Sequence, residues 1–135
     1  MDIELRNFTV CGDERGKLIA VEENKDVPFE IKRIYYIYDN NLDLRRGFHA
    51  HKNLKQALVC VHGSCVIHLD DGKETKEVTL DSPDLALFIQ SPIWREMYNF
   101  SPGTVLLVLA SEKYQKEDYI RDYNEFLTFV GEKND

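Results

Sequence analysis

The stretch RGFHAHK, residues 46–52, places two histidines one residue apart, behind a glycine and an aromatic residue. Residues i and i+2 of a β-strand point to the same face, so we expect His49 and His51 to project side by side into one space. Three interpretations fit such a pair: half of a metal site, an acid/base pair, or two histidines satisfied by backbone groups in the core. Residues elsewhere in the sequence help to choose among these three interpretations.

The sequence around this stretch has the pattern of short strands separated by turns. Residues 30–39, EIKRIYYIYD, alternate so that Arg33 and Tyr35 share one face, and residues 17–23, KLIAVEE, form another predicted strand. Residues 104–111, TVLLVLAS, are apolar almost throughout, as expected of a strand buried on both faces. Many short strands predict an all-β antiparallel sandwich or barrel.

One helix is predicted near the end of the chain. After residue 111, apolar residues recur at helical spacing, and we expect them to pack a single helix against the outside of the sheets. These residues are Ile120, Tyr123, Phe126, Leu127 and Val130. The 135 residues contain no linker or internal repeat, which predicts a single domain over residues 1–135.

The composition restricts the partners and the location of the protein. A formal net charge of −7 argues against general binding to nucleic acid or to anionic membranes, although a few converging arginines could still bind a phosphate. No run approaches the roughly 20 apolar residues of a membrane span, and the N-terminus lacks the pattern of a signal peptide. Three cysteines without a CxxC pair favour reduced thiols in the cytoplasm.

Two motifs around the histidine pair resemble those of the cupin superfamily. Four residues separate His51 from Gln56 and six separate Gln56 from Gly63, a spacing similar to the first cupin motif, in which an acidic residue takes the position of Gln56. Residues 90–100, QSPIWREMYNF, resemble the second motif, with Arg95 where a histidine usually stands. The resemblance implies an RmlC-like jelly-roll barrel of antiparallel strands with a C-terminal α-helix.

The two departures from the cupin pattern argue against a metal. A neutral amide such as that of Gln56 is a poor ligand for a divalent ion, and the guanidinium of Arg95 has no lone pair to donate and would repel the ion. We therefore predict no metal and no other cofactor. Acid/base chemistry then becomes the preferred interpretation of the histidine pair, because imidazole titrates near neutral pH. The third interpretation, in which backbone groups in the core satisfy both histidines, stays open.

A longer set of segments is similar to the nucleotide-sugar 3,4-ketoisomerases, the FdtA/QdtA-like or WxcM-like group. The segments are IKRIYYIYD, RGFHAHK, QALVCVHGSC, TLDSP, WREMYNF and LVLASEKYQKEDYIRDYNEF, in this order. The resemblance implies conversion of dTDP-4-keto-6-deoxyglucose to a dTDP-3-keto-6-deoxyhexose through a 3,4-enediolate, in the synthesis of 3-amino sugars for glycans such as lipopolysaccharide. It also implies a homodimer, with N-terminal strands exchanged in some relatives. The configuration at C4 of the product depends on the face that receives the proton.

Within this reaction, the catalytic candidates are His49, His51 and Tyr35. We assign His49 as the base that removes the C3 proton and His51 as a carrier between the sugar oxygens or a donor to C4, and the two roles could be exchanged. The resemblance places Tyr35 in the site, where its hydroxyl could donate to the oxyanion or act as an acid.

The candidates for substrate binding are three arginines and a glutamine. Arginine suits phosphate oxygens because its guanidinium offers two parallel donors, so Arg15, Arg46 and Arg95 are expected to contact the diphosphate or the sugar. Gln56 occupies the former ligand position and is expected to orient a histidine.

Other functions fit part of the pattern. A dTDP-sugar 3,5-epimerase shares the substrate class but usually has a His–Asp pair in a longer chain. A non-catalytic sugar-binding cupin would keep the arginines without needing two histidines in the cavity. A metal cupin such as a dioxygenase would need the ligands that Gln56 and Arg95 replace.

Overall fold

The computed structural model describes residues 1–90 and 92–134. The strands of the first half are β1 (Ile3–Asn7), β2 (Cys11–Asp13), β3 (Gly16–Leu18), β4 (Arg33–Ile37), β5 (Arg46–His51) and β6 (Gln56–His62). Those of the second half are β7 (Cys65–Asp70), β8 (Thr75–Leu80), β9 (Leu85–Ile89), β10 (Trp94–Tyr98), β11 (Val105–Ala110) and β12 (Tyr119–Ile120). A 3-10 turn (Lys116–Asp118) precedes β12, and the helix α1 (Tyr123–Asn134) ends the chain.

The strands form two antiparallel sheets that face each other. The first sheet has the order β1-β9-β6-β11-β4 and the second has the order β12-β5-β10-β7-β8, while β2 and β3 pair as a separate hairpin. Apart from β7 and β8, neighbouring strands in these two sheets are not consecutive in the chain, which is typical of a jelly roll. The predicted all-β class with one C-terminal helix is confirmed.

The alternation of side chains along β6 shows how the sequence builds two layers of core. Leu58 and Cys60 point between the sheets, whereas Ala57 and Val59 point to the outer face of the first sheet. Gln56 shares the inward face with Leu58, so this polar side chain lies inside the sandwich. The strand β11 alternates in the same way, and its apolar run is buried on both faces as predicted.

The helix α1 covers the outer face of the second sheet. Its Phe126 and Val130 pack with Ala50 and Trp94, and the backbone N–H of Glu125 donates to the Asp122 carboxylate at the start of the helix, at 2.9 Å. The outside packing of a terminal helix is confirmed. Among the described residues, no helix has the length and apolar character that crossing a membrane would require.

Two details of the strand and helix predictions were wrong. The strand predicted over residues 17–23 ends at Leu18, because Ile19 and Val21 instead pack against the outer core of the first sheet. Their apolar character serves packing and not strand pairing. Ile120 belongs to β12 and not to the helix, although it contributes to the same apolar cluster as α1.

Candidate active site

The two histidines lie at the end of β5 and point between the sheets. Their ring centroids are 5.0 Å apart and the rings are nearly perpendicular, as the i, i+2 spacing predicted. His51 is fully buried, whereas His49 is partly exposed and forms part of a cavity wall. The pair therefore presents one histidine to the cavity and holds the other directly behind it.

A β-bulge before the pair gives β5 its shape. Gly47 and Phe48 both adopt positive φ, +98° and +55°, and the pairing with β10 shifts register opposite them, between Arg95 and Glu96. A Cβ on Gly47 would lie 3.0 Å from the backbone oxygen of Arg95. Glycine is required there because both the conformation and the close approach exclude a side chain. The bulge turns Phe48 outward and leaves His49 facing the cavity.

The cavity lies where β4 of the first sheet faces strands of the second sheet. Its volume is about 400 Å³. It is lined by Arg33, Tyr35, Tyr36, Ile37, Arg46, Gly47, His49, Met97, Tyr119 and Arg121. Three arginines, three tyrosines and a histidine thus line one opening, a combination suited to an anionic, oxygen-rich ligand.

Behind the cavity, Arg95, Gln56 and Tyr35 are joined by hydrogen bonds. The guanidinium of Arg95 donates to Gln56 Oε1, and Gln56 Nε2 donates to the Tyr35 hydroxyl oxygen at 3.0 Å. Arg95 also donates to the backbone oxygen of Ile93 at 3.1 Å and 3.3 Å. Gln56 therefore holds Tyr35 and Arg95 in place, where we expected it to orient a histidine. Because Arg95 and Gln56 are both buried, direct contact of either with substrate stays a prediction.

The protonation states of these groups follow from burial and from the Arg95 charge. Burial first and Arg95 second lower the pKa of His49 to about 4, and the same two causes lower the pKa of His51. Both rings are then neutral at pH 7. Burial raises the pKa of Tyr35, so its hydroxyl keeps its proton, and burial lowers the pKa of Arg95 to about 10, which leaves it charged.

Asp118 joins the site from a distant part of the sequence. Its Oδ2 lies 2.8 Å from His51 Nδ1, because β12 pairs antiparallel with β5 and sets Tyr119 opposite His51. The sequence prediction missed Asp118, since 67 residues separate it from His51. An acidic residue next to a short Tyr-Ile pair is too common a pattern to have found it.

The arginines considered for substrate binding differ in whether they reach the cavity. Arg46, a predicted residue, lines the cavity, and so do Arg33 and Arg121, which the sequence prediction missed. Arg15 lies instead at the tip of the β2–β3 hairpin, where its side chain is 86% exposed and pairs with Asp13. Within one chain, the structure does not bring Arg15 to the histidines.

Comparisons with known proteins identify the family. Residues 1–131 match the family described as "FdtA: WxcM-like, C-terminal". The chain is 48% identical to a TDP-4-oxo-6-deoxy-alpha-D-glucose-3,4-oxoisomerase from Aneurinibacillus thermoaerophilus, over 99% of this chain and 96% of the relative. The chain belongs to the FdtA/WxcM-like family.

Solved structures of 3,4-ketoisomerases share the fold of this family member closely. A 3,4-ketoisomerase from Helicobacter canadensis superposes with a TM-score of 0.95 at 54% identity, covering 97% of this chain and 98% of the other. QdtA, a sugar 3,4-ketoisomerase from Thermoanaerobacterium thermosaccharolyticum solved with TDP, gives 0.95 at 42% identity, with 98% and 96% covered. A variant of QdtA has been solved with TDP-4-keto-6-deoxyglucose. These relatives are isomerases, and they favour the ketoisomerase interpretation over its alternatives.

The metal question rests on the chemistry of the side chains. In the described part of this FdtA/WxcM-like chain, no three histidine, cysteine, aspartate or glutamate side chains come together to form a metal site. The two cupin ligand positions hold Gln56 and Arg95, which form a hydrogen-bonded pair. A divalent ion placed there would meet a guanidinium, so metal independence stays our prediction.

Proposed function

We propose that the protein is a 3,4-ketoisomerase that converts dTDP-4-keto-6-deoxyglucose to a dTDP-3-keto-6-deoxyhexose. The observation that carries this proposal is the neutral His49–His51 pair at the wall of an arginine-lined cavity in a chain of this family. The reaction needs a base for C3, a carrier of protons between two oxygens, and donors for the developing negative charge. The cavity offers a candidate for each.

His49 is our candidate for the base at C3. The C3 proton is acidic because it lies next to the C4 ketone, and its removal gives a 3,4-enediolate. His49 is the member of the pair that lines the cavity, and its low pKa leaves an unprotonated nitrogen at pH 7. A hydrogen bond to the backbone of Gly47 opposes this lowering of the His49 pKa but is a smaller effect than burial. The proton taken from C3 or one from solvent is then returned to C4.

Tyr35 and Arg95 stabilise the enediolate in this proposal. Tyr35 lines the cavity, and its hydroxyl keeps its proton and can donate to the oxygen on C4. Arg95 contributes a fixed positive charge from behind the wall, and Gln56 ties it to Tyr35. Preorganised donors of this kind are worth a few kcal/mol in a site that excludes water, about 3 kcal/mol for one donor.

Three arginines are our candidates for the diphosphate. Arg33, Arg46 and Arg121 line the cavity, and Arg33 Nε is buried without a hydrogen-bond partner among the described residues. A buried guanidinium N–H without a partner is costly, and a phosphate oxygen would satisfy it. This local positive charge is compatible with a chain whose net charge is −7.

We further propose a homodimer in which N-terminal strands are exchanged. The strand β4 stands at the end of its sheet with Ile34 and Tyr36 about 60% exposed, and the β2–β3 hairpin carries an exposed Leu18. Pairing between copies would bury these side chains and could bring Arg15 of one copy to the cavity of the other. Light scattering should then give about twice the chain mass of 15.8 kDa.

The predicted role of Arg15 can be tested against a similar arginine. Arg15→Ala should raise KM for the nucleotide sugar while the dimer persists. Arg6 pairs with Glu4 two residues away, as Arg15 pairs with Asp13, but it lies on β1. Arg6→Ala should therefore leave KM unchanged. An unchanged KM for Arg15→Ala would remove Arg15 from the site.

The cellular setting is also proposed. We infer that the enzyme works in the cytoplasm, where free thiols persist, because Cys11, Cys60 and Cys65 are all unpaired. A 3-keto sugar nucleotide is a substrate for amination at C3, so we place the enzyme before an aminotransferase in the synthesis of amino sugars for glycans such as lipopolysaccharide.

Incubation with dTDP-4-keto-6-deoxyglucose in deuterated water tests the proposed reaction. A 3,4-ketoisomerase should form a 3-keto product with deuterium at C4, observed by NMR. Deuterium at C3 and C5 with inversion at C5 would indicate a 3,5-epimerase and contradict the proposal. Binding without any exchange or product would indicate a sugar-binding cupin.

A further inference from the structure

Asp118 is held against His51 by three hydrogen bonds. Its Oδ2 lies 2.8 Å from His51 Nδ1, its Oδ1 accepts from the Asn53 backbone N–H at 2.8 Å, and its own carbonyl accepts from the Lys52 N–H at 2.9 Å. The carboxylate is 11% exposed and the imidazole is fully buried. Such a geometry fixes both the position and the direction of the His51 ring.

The contact with Asp118 decides which nitrogen of His51 carries the proton. A carboxylate can only accept, so a neutral His51 places its proton on Nδ1 and leaves the lone pair on Nε2. Nε2 is buried and has no hydrogen-bond partner among the described residues. It lies in a ring that contacts the rings of His49 and Tyr119, with centroid distances of 5.0 Å and 4.4 Å, and both of these line the cavity. For a sugar oxygen to reach Nε2, one of these two rings has to turn aside.

We propose that Asp118 is a positioning residue that holds His51 ready to move a proton from O3 to O4 of the sugar. The step rests on the proposed ketoisomerase reaction. After His49 has removed the C3 proton, the O3–H bond breaks, its proton forms a bond to His51 Nε2, and the oxygen is left to become the C3 ketone. The Nε2–H bond then breaks and the proton passes to O4, which restores the neutral ring. No oxidant is needed, since oxidation at C3 balances reduction at C4.

The surrounding charges explain why a carboxylate is required. The transient imidazolium of His51 would form in a pocket where Arg95, Arg33 and Arg121 all disfavour positive charge. Asp118 is the carboxylate bonded to the ring, and it offsets this repulsion when the ring takes up the second proton.

Asp118→Asn separates this role from simple support of the loop. The amide oxygen of asparagine can still accept from the Asn53 N–H, which keeps the loop anchored. Its NH₂ group would then face His51 Nδ1 and, as a donor, would force the ring proton onto Nε2, which removes the lone pair. Glu117→Gln removes the neighbouring charge from an exposed side chain and serves as the control.

The experiment compares two rates for each variant in deuterated water. The first is deuterium entry at C3 of recovered dTDP-4-keto-6-deoxyglucose, which reports removal of the C3 proton by His49. The second is formation of the 3-keto product. For Asp118→Asn we expect product formation to fall roughly 10²–10⁴-fold while C3 exchange falls less than about tenfold, and Glu117→Gln should change neither. A thermal unfolding measurement checks that each variant is folded.

Two results would overturn the positioning role proposed for Asp118. If both rates fall equally in a folded Asp118→Asn protein, Asp118 supports the site as a whole and does not act through the oxygen-to-oxygen step. If neither rate falls, Asp118 has no part in the reaction. Failure of the proposed function looks different, because the wild-type protein would then form no 3-keto product.

Discussion

The pH dependence of turnover follows from the electrostatics of His49. Burial first, and the Arg95 guanidinium second, lower the pKa of His49 from 6.5 to about 4. At roughly 1.4 kcal/mol for each pH unit, this difference corresponds to about 3 kcal/mol in favour of the neutral ring. A general base acts only when unprotonated, so kcat/KM should stay near its maximum down to about pH 5 and fall with a midpoint near pH 4.

The contribution of Arg95 can be separated from that of burial. Arg95→Met removes the positive charge but keeps much of the side-chain volume. The midpoint of the pH profile should therefore rise toward 6.5 without reaching it, because burial contributes more than Arg95 to the low pKa of His49. Arg45→Met is the matched control. Arg45 is 43% exposed and pairs with Glu96, and it does not line the cavity, so its loss should leave the midpoint in place.

The assay is the initial rate of 3-keto product formation at low substrate, measured from about pH 3.5 to about pH 8. NMR titration of ¹³C-labelled histidine in the same proteins gives the pKa of His49 directly, even for a variant with little activity. A wild-type midpoint near 6.5 would show that the ring is not held neutral by its surroundings. An Arg95→Met protein with an unchanged or lower His49 pKa would refute the role given to the guanidinium.

Three more predictions concern the base, the bulge of β5 and the absence of a metal requirement. His49→Asn should lower turnover by about 10²–10⁴-fold with the circular dichroism spectrum unchanged, and a normal rate would remove the base assignment. Gly47→Ala should reduce the free energy of unfolding by about 1–3 kcal/mol in a urea titration, since φ is +98° and the new Cβ would meet the Arg95 oxygen at 3.0 Å. In the control Gly131→Ala, the new Cβ meets nothing within 4 Å, so the free energy of unfolding should rise by up to about 1 kcal/mol. An equal loss of stability in the Gly47 and Gly131 variants would contradict the argument that Gly47 is required by its backbone conformation. Turnover should survive EDTA treatment, and activity lost on chelation and restored by a metal would refute metal independence.

The part of the site that lies on regular strands could be predicted from the sequence. Strand alternation alone places His49 and His51 on one face, and it places Gln56 on the same inward face as Leu58. The same rule puts Arg33 and Tyr35 on one face of β4, and in the structure Tyr35 meets Gln56 there. In each case, a period of two residues and a buried face leave little freedom in the direction of a side chain.

The rest of the site depends on pairings that a local pattern does not encode. Asp118 reaches His51 because two residues of β12 pair with β5, and a two-residue strand has no periodicity to recognise. Positive φ at Phe48 is unusual for an aromatic residue, so the bulge that shapes β5 was not foreseen. Arg15 shows the converse, since the sequence predicted a binding residue and the structure places its exposed side chain at the tip of the β2–β3 hairpin.

Arg95 explains why this scaffold suits proton transfer better than metal binding. The residue sits where a cupin would supply its last histidine ligand, and its buried positive charge would oppose a divalent ion. Burial first and the same charge second oppose protonation of His49 and His51, so both rings keep a free lone pair at neutral pH. The guanidinium of Arg95 thus disfavours a metal ion and favours neutral histidines. The carboxylate of Asp118 then becomes necessary, because a histidine kept neutral by a nearby arginine can carry a proton only if an opposite charge supports its ionised form.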